Sequence, residues 1–443
     1  MEQVISPTRR IGGEIFVPGD KSISHRALML AALAQGESIV HNLAPGEDVR
    51  STVRCLRALG VKISLKAANK GAGRPMAVVE GVGLRGLRPS QAPLDAGNSG
   101  TTLRLLGGIL AGQPFESVLT GDESLRKRPM NRIVEPLRRM GARVESFGGH
   151  APLRIQGPSE GRLRAISYEL PVPSAQVKSC VLLAGLYAEG STTVIEPIPT
   201  RDHTERLLAR LGVPIQCCEN TITIAGPVTS ELEPFEVRVP SDLSSAAFFI
   251  AAATLLPGSE LLLRGVGINP TRTGFLDALR RMGARIELLN EHEEGGEPMA
   301  DLLACGASRL QAIKLDGSEL SRLIDEVPLL AVVATQAEGT TVVRGAQELR
   351  VKETDRLRAV ALNLRRMGAH VEELPDGFIL EGPQRLRGAQ LKSFGDHRIA
   401  MTFAVAGLVA EGETTIEGAE WADISYPGFF AALERVAERQ DRA

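Results

Sequence analysis

One phrase recurs six times along the chain and limits the fold more than any single motif. A polar tip opens an apolar stretch of helix length, a short turn with a glycine follows, and a β-rich segment comes next. The tips are Asp20-Lys21-Ser22, Asn98-Ser99-Gly100-Thr101, Ser174-Ala175-Gln176, Ser241-Asp242-Leu243-Ser244, Asp325-Glu326 and Asp396-His397-Arg398. The apolar stretches include residues 27–34, 103–111, 180–188, 246–256, 327–334 and 399–410. The turns place Gly36, Gly112, Gly190, Gly258, Gly339 and Gly412 ahead of β-rich runs such as Thr192-Thr193-Val194-Ile195. A helix N-terminus carries unpaired N–H groups and partial positive charge, so six such ends are six candidate anion cradles.

Each unit continues with a second, charged helix whose end is nearly verbatim in three copies. These are Leu137-Arg138-Arg139-Met140-Gly141-Ala142, Leu279-Arg280-Arg281-Met282-Gly283-Ala284 and Leu364-Arg365-Arg366-Met367-Gly368-Ala369. The glycine is expected in the left-handed conformation that ends a helix, and arginines in the last turn oppose the helix dipole. In the sixth unit only a helix, over residues 429–438, is expected after the tip helix. The first helix of each unit is apolar nearly all round and is expected to be buried, and the second is amphipathic and belongs at the surface. Repeats of roughly 70–80 residues exceed the ~20–50 of a solenoid phrase and fit a duplicated β/α unit.

Val17-Pro18-Gly19 and Val239-Pro240-Ser241 echo each other, with three units between them and three after. Proline before a polar turn marks a hinge, which places domain crossings near residues 18–20 and 239–242. The expected domains are residues 20–240, and residues 1–19 with 241–443. The first strand, residues 13–17, goes with either.

A net charge of −2 and the lack of a long single-sign run argue against general binding to nucleic acid or to a membrane surface. Residues 1–10 lack the apolar core of a secretory signal, and the longest apolar run, 246–256, is too short to span a bilayer. The five cysteines are odd in number and lack metal-ligand spacing, so free thiols in a reducing cytosol are expected. Cys217-Cys218 reads as a strand detail. Local clusters of basic residues point instead to small anionic ligands.

Residues shared among copies are architecture, and those peculiar to one copy are candidates for function. In Pro18-Gly19-Asp20-Lys21-Ser22-Ile23-Ser24-His25-Arg26, a lysine at a helix start opposes the dipole, which implies an anion that offsets it. The bland alternative is a solvated Lys21 beside an N-cap Ser22. Asp20 rules out a Walker A loop, which needs Gly-Lys-Ser. In Leu94-Asp95-Ala96-Gly97-Asn98-Ser99-Gly100-Thr101-Thr102, two glycines let backbone N–H groups approach a ligand, and Arg126-Lys127-Arg128-Pro129 adds positive charge nearby. Arg350-Val351-Lys352-Glu353-Thr354-Asp355-Arg356 reads equally well as a salt-bridged helix face. Gly395-Asp396-His397-Arg398 again puts cations at a helix start. Asp325 enters a very apolar helix, where an N-cap needs no function. Gly81-Val82-Gly83-Leu84-Arg85-Gly86 fits the dinucleotide pattern, but Pro89 follows and no helix opens there. Many cations with the acids Asp325 and Glu353 point to a transferase or isomerase acting on phosphorylated or carboxylated small molecules.

The same segments, in order along the whole chain, resemble the 5-enolpyruvylshikimate-3-phosphate synthase family. The matching positions are residues 18–26, 97–101, Lys127-Arg128-Pro129, Ser174-Ala175-Gln176, Arg201, Asp325, residues 352–356 and 396–398. The resemblance implies an α/β fold of two similar domains, each of three βαβαββ repeats, an inverse α/β barrel with six-fold pseudo-repetition. The first strand then joins the C-terminal-half, phosphoenolpyruvate-side domain, while residues 20–240 form the shikimate 3-phosphate side. It implies transfer of the enolpyruvyl group of phosphoenolpyruvate to the 5-hydroxyl of shikimate 3-phosphate, with no cofactor or metal, by a cytoplasmic monomer. By motif match, Lys21, Ser22, Arg26, Ser174, Ala175, Gln176 and Arg201 fall at shikimate 3-phosphate positions or span both ligands. Gly100, Arg128, Lys352, Arg356, His397 and Arg398 complete the substrate set, mainly on the phosphoenolpyruvate side. Asp325 matches the group beside the attacking hydroxyl, Glu353 the proton donor and acceptor for the methylene carbon, and Lys21 is counted with them as catalytic.

Two departures stand out. Trp421-Ala422-Asp423-Ile424-Ser425-Tyr426-Pro427 lacks the lysine many members carry before that proline, and Ala175 stands where some have serine. Gly100 matches the form sensitive to the herbicide glyphosate. Two rival readings remain. A UDP-N-acetylglucosamine enolpyruvyl transferase usually has Lys-Asn in place of Lys21-Ser22 and a loop cysteine absent from residues 97–164 here. A non-catalytic anion-binding protein on the same scaffold would not need Asp325 and Glu353 together.

Overall fold

The computed structural model describes residues 1–66, 74–160 and 162–439. In chain order the helices are α1 (Lys21–Leu33), α2 (Glu47–Ala58), α3 (Gly100–Ala111), α4 (Glu123–Arg126), α5 (Asn131–Arg139), α6 (Ala175–Gly185) and α7 (His203–Arg210). They continue as α8 (Leu243–Leu255), α9 (Gly274–Arg281), α10 (Gly317–Leu320), α11 (Val327–Ala334), α12 (Arg356–Arg366), α13 (His397–Leu408) and α14 (Phe429–Val436).

The chain divides into two compact units. One comprises Met1–Pro18, Pro240–Glu293 and Pro298–Ala443, and the other Gly19–Val239 with Glu294–Glu297. Each has its own apolar core. The six tip helices α1, α3, α6, α8, α11 and α13 are buried along almost their whole length, as their unbroken apolar character requires. Within one unit α3 packs on α1 and α6. Within the other α8, α11 and α13 pack on one another.

Among the described residues six sheets surround these helices, three in each unit, and their plan repeats. In the clearest copies a short strand runs parallel to the strand after the tip helix, which pairs antiparallel with the second strand of a hairpin. Leu94–Asp95 with Glu116–Thr120 and His150–Gln156 show this, as do Ser167–Glu169 with Ala188–Ile195 and Thr221–Gly226. Strand Thr8–Ile15 pairs parallel with Glu260–Gly267. The architecture is the α/β, six-fold repeated fold expected from the phrase. The sixth unit departs from expectation, since its helix ends at Val436 and the strand Ala437–Arg439 follows, antiparallel to Thr8–Ile15. Its sheet takes Glu2–Ile5 as partner for Thr414–Glu417, from the other end of the chain.

The repeated helix ends behave as the sequence predicts, with Gly141, Gly283 and Gly368 at φ 99°, 98° and 85°. Their arginines do more than oppose a dipole. Arg138, Arg280 and Arg365 each donate to a carbonyl six residues on, at Val144, Ile286 and Val371, tying helix to strand. Of the tip-helix turns, Gly112 has φ −89°, so left-handed backbone does not require it. A Cβ there would lie 2.2 Å from the Tyr187 ring, which makes close packing the reason for glycine. Gly81 likewise lies against the end of α1, with a Cβ 2.2 Å from the Ala31 and Ala34 carbonyl oxygens, and no helix opens after it. Cys217-Cys218 lies in strand Ile215–Cys218, and all five cysteines are free thiols.

At the α3–α6 crossing a Cβ on Gly108 would fall 2.2 Å from the Cys180 carbonyl oxygen. Backbone cannot yield as a side chain would, so Gly108→Ala is expected to destabilise the protein by about 1–3 kcal/mol. Urea unfolding checks this, and an unchanged midpoint would mean that the crossing is looser than its geometry.

Candidate active site

Five of the six tips carry a side-chain N-cap. Asp20 accepts from Ile23 N at 2.8 Å, Ser99 from Thr102 N at 3.1 Å, Ser174 from Val177 N at 3.4 Å, Asp242 from Ser244 N at 2.9 Å and Asp396 from Arg398 N at 2.8 Å. These bonds satisfy donors that a buried helix would otherwise leave unpaired. Ser22 is therefore not the cap of α1 but its second residue. The fifth tip differs again. Asp325 lies in a 3-10 turn, Ile324–Glu326, and the residue preceding α11 is Glu326, which makes no side-chain cap bond. Pro328, in the first turn, has no N–H to cap. The bland alternative for Asp325, a plain N-cap, is thus excluded, and its carboxylate is turned to cations instead.

In the unit built on residues 19–239 the tips are joined sideways. Lys21 Nζ lies 2.9 Å from Asp48 Oδ2 on α2, so the helix-start cation expected to require a bound anion already has a carboxylate partner. Arg26 is buried at the next turn. It donates from Nη1 to the Ser22 carbonyl at 2.8 Å, from Nε to Thr204 Oγ1 at 2.6 Å and from Nη2 to Ser179 Oγ at 2.8 Å. Burial pulls its pKa down to about 10, with Glu205 and Asp20 opposing and the Arg201 charge adding to the fall. Gln176 Nε2 donates to Thr101 Oγ1 at 3.0 Å, and its Oε1 accepts from Arg104 Nη1 at 2.6 Å. Arg128 Nη2 donates to Asn98 Oδ1 at 2.6 Å. A Cβ on Gly100 would stand 2.7 Å from Arg104 Nη1 and 3.5 Å from Arg128 Nη1, so glycine leaves room where two guanidinium groups meet a helix N-terminus. Ala175 contributes its carbonyl, which accepts from Ser179 Oγ at 2.7 Å.

Beneath them His25 Nδ1, Thr52, Thr102 and Ser99 form a chain of hydrogen bonds at 2.6, 2.7 and 2.8 Å. Burial first, then Lys21 and Arg26, hold the His25 pKa well below the ordinary value, so the imidazole is a neutral link among helix starts.

In the other unit one arginine organises the charges. Arg356, 2% exposed, donates from Nε to Asp396 Oδ2 at 2.7 Å, from Nη2 to Glu353 Oε2 at 2.7 Å and from Nη1 to Asp325 Oδ1 at 3.2 Å. Burial works against its charge, but Asp396, Glu353 and Asp325 outweigh it and hold the guanidinium pKa above its usual value. Asp325 also has Lys352 Nζ at 3.9 Å and Arg398 Nη2 at 3.8 Å. The Lys352 pKa is lowered by desolvation, against the pull of Asp325. His397 is buried as the first residue of α13.

The structure decides one reading left open by the sequence. Residues 352–355 are not part of a charged helix but bridge a 3-10 turn, Gln347–Val351, and α12. Asp355 pairs with Arg350 at 2.7 Å and caps α12 at Arg358 N. At the fourth tip Arg272 Nη2 lies 3.6 Å from Asp242 Oδ1. Sequence reasoning missed Arg104, which it had counted within an apolar stretch. A single charge one turn after a tip was the available signal. Among the described residues no group of three or more His, Cys, Asp and Glu is arranged to hold a metal ion, and no helix is long and apolar enough to cross a membrane.

Helix starts lined with arginine and lysine, with carboxylates on the same guanidinium, define an α/β protein of the kind that transfers groups between small anionic molecules. The family model for EPSP synthase (3-phosphoshikimate 1-carboxyvinyltransferase) matches residues 5–433. The chain is 54% identical over 438 residues to the 3-phosphoshikimate 1-carboxyvinyltransferase of Gloeobacter violaceus, covering 98% of this chain and 99% of that one. It is 48% identical over 436 residues to the protein of that name from Thermodesulfovibrio yellowstonii, at 98% and 99% coverage. A solved structure of EPSP synthase from Acinetobacter baumannii superposes with a TM-score of 0.86 at 43% identity, covering 99% of this chain and 98% of that one. The chain belongs to the EPSP synthase family.

Breaking a buried ion pair on one side leaves an uncompensated charge. Arg356→Met is therefore expected to destabilise the protein by about 3–5 kcal/mol, since Asp396 is fully buried beside it. Denaturant unfolding measures this. A loss below about 1 kcal/mol would show that the carboxylates find other partners.

Proposed function

We propose that this chain transfers the enolpyruvyl group of phosphoenolpyruvate to the 5-hydroxyl of shikimate 3-phosphate and releases phosphate. The observation that carries the reading is the Asp325–Arg356–Glu353 cluster, in which two carboxylates share one buried arginine in a chain of this family. The hydroxyl adds to the substituted enol carbon while the methylene carbon gains a proton. Loss of that proton with departure of phosphate then gives the enol ether.

Asp325 takes the position beside the hydroxyl, and Glu353 gives and recovers the carbon-bound proton. Lys21, Ser22, Arg26, Ser174, Ala175, Gln176 and Arg201 bind shikimate 3-phosphate. Gly100, Arg128, Lys352, Arg356, His397 and Arg398 bind phosphoenolpyruvate, whose phosphate and carboxylate suit paired guanidinium forks. The Arg356 bond to Glu353 supports a proton-transfer role, because it fixes the orientation of the carboxylate. The working form is taken as a cytoplasmic monomer, a compartment that suits five free thiols.

Phosphate release from phosphoenolpyruvate is expected with shikimate 3-phosphate and not with UDP-N-acetylglucosamine. The opposite pattern, or no release at all, overturns the reading. Glu353→Gln is expected to cut turnover at least ~100-fold, the low end of general acid–base contributions, with the fold intact by circular dichroism. Near-normal turnover would remove Glu353 from the mechanism. With glycine at position 100, glyphosate is expected to compete with phosphoenolpyruvate. Steady-state inhibition at varied phosphoenolpyruvate tests this, and the absence of competition at millimolar glyphosate would sink it.

A further inference from the structure

Glu326 is buried, 4% exposed, immediately before the wholly apolar α11. A carboxylate there loses several kcal/mol of hydration, and it does not recover this as a helix cap, because it makes no side-chain cap bond. Its Oε1 accepts instead from Arg398 Nη1 at 3.3 Å and from the Ser244 hydroxyl. Ser244 Oγ in turn accepts from Arg272 Nη2 at 2.6 Å, and Arg272 faces Asp242. A buried relay of alternating charge thus runs from the fourth tip to the sixth. Arg398 Nη1 also donates to the Asp325 carbonyl at 3.3 Å. Two acceptors on one terminal nitrogen fix the plane of the guanidinium and so the direction in which its Nε–Nη2 edge points.

We propose that Glu326 is a positioning residue for phosphoenolpyruvate binding. It holds the Arg398 guanidinium in its ligand-facing orientation and is itself held by Ser244 and Arg272 of the fourth repeat. The inference rests on the assignment of Arg398 to phosphoenolpyruvate made above. The fourth tip then has a part in the site without touching substrate. Glu326→Ala removes the acceptor but no cap, so helix α11 keeps its start, whereas Glu326→Gln keeps an acceptor oxygen of the same reach and removes only the charge.

Steady-state kinetics with each substrate varied separate the possibilities. Glu326→Ala is expected to raise KM for phosphoenolpyruvate ~10–100-fold, the range for a hydrogen bond to a charged group. KM for shikimate 3-phosphate should stay within about twofold, because a fault in one ligand's site leaves the other's ground-state binding alone. Glu326→Gln should stay within about threefold of the parent enzyme, and Ser244→Ala should shift KM in the same direction as Glu326→Ala but less. An unchanged phosphoenolpyruvate KM in Glu326→Ala, an equal rise in both KM values, or Glu326→Gln as impaired as Glu326→Ala overturns the positioning role. A parent enzyme that releases no phosphate overturns the functional reading and this inference with it. A fully active parent with an indifferent Glu326→Ala variant overturns this inference alone.

Discussion

The N-terminus of a buried helix is the constraint on which the rest of the structure depends. Such a helix cannot leave its first N–H groups bare, because water does not reach them to compensate. Asp20, Ser99, Ser174, Asp242 and Asp396 supply the missing acceptor from the tip itself. A cap also fixes the backbone that follows it, so the residues just after it emerge at defined angles. Lys21, Gly100, Gln176 and Arg398 all occupy such positions. Packing among tip helices within a unit then brings their ends into hydrogen-bond reach, as the Gln176 bonds to Thr101 and Arg104 show.

Electrostatics divides the two sets of side chains by character. Arg26, Arg104 and Arg128 donate to hydroxyls, side-chain amides and backbone carbonyls. Around Arg356 the contacts are to carboxylates, and Asp325, Glu353 and Asp396 compete for one guanidinium. The first arrangement suits holding a phosphorylated molecule. The second fixes the orientation of its carboxylates, at the expense of net attraction for an anion. Lys352 and Arg398 offset that loss by adding positive charge beside Asp325.

What the sequence made legible was local. Apolar helices, their Asp and Ser caps and the glycine after Leu-Arg-Arg-Met each depend on neighbours within a few positions, and the structure bears them out. What it hid was pairing between residues distant in the chain. Lys21 meets Asp48 across 27 positions, Arg104 meets Gln176 across 72, and Ser244 meets Glu326 across 82. No periodicity encodes such partners. The tip alone does not show that Lys21 faces Asp48, and charge alternation from Arg350 to Arg356 does not reveal that Asp355 starts a new helix.

The fifth tip shows how a repeat can be turned to chemistry. In the other copies the acidic or hydroxyl residue caps its helix and commits an oxygen to backbone. At the fifth, a 3-10 turn and Pro328 begin the helix with one N–H fewer to satisfy, and the cap is dispensed with. Two carboxylates are released by this one change. Asp325 turns to Arg356, Lys352 and Arg398, while Glu326 turns to Arg398 and Ser244. The acids that a cation-lined site needs are thus obtained by withholding a cap, and the local departure from the repeat marks where the scaffold gives way to function.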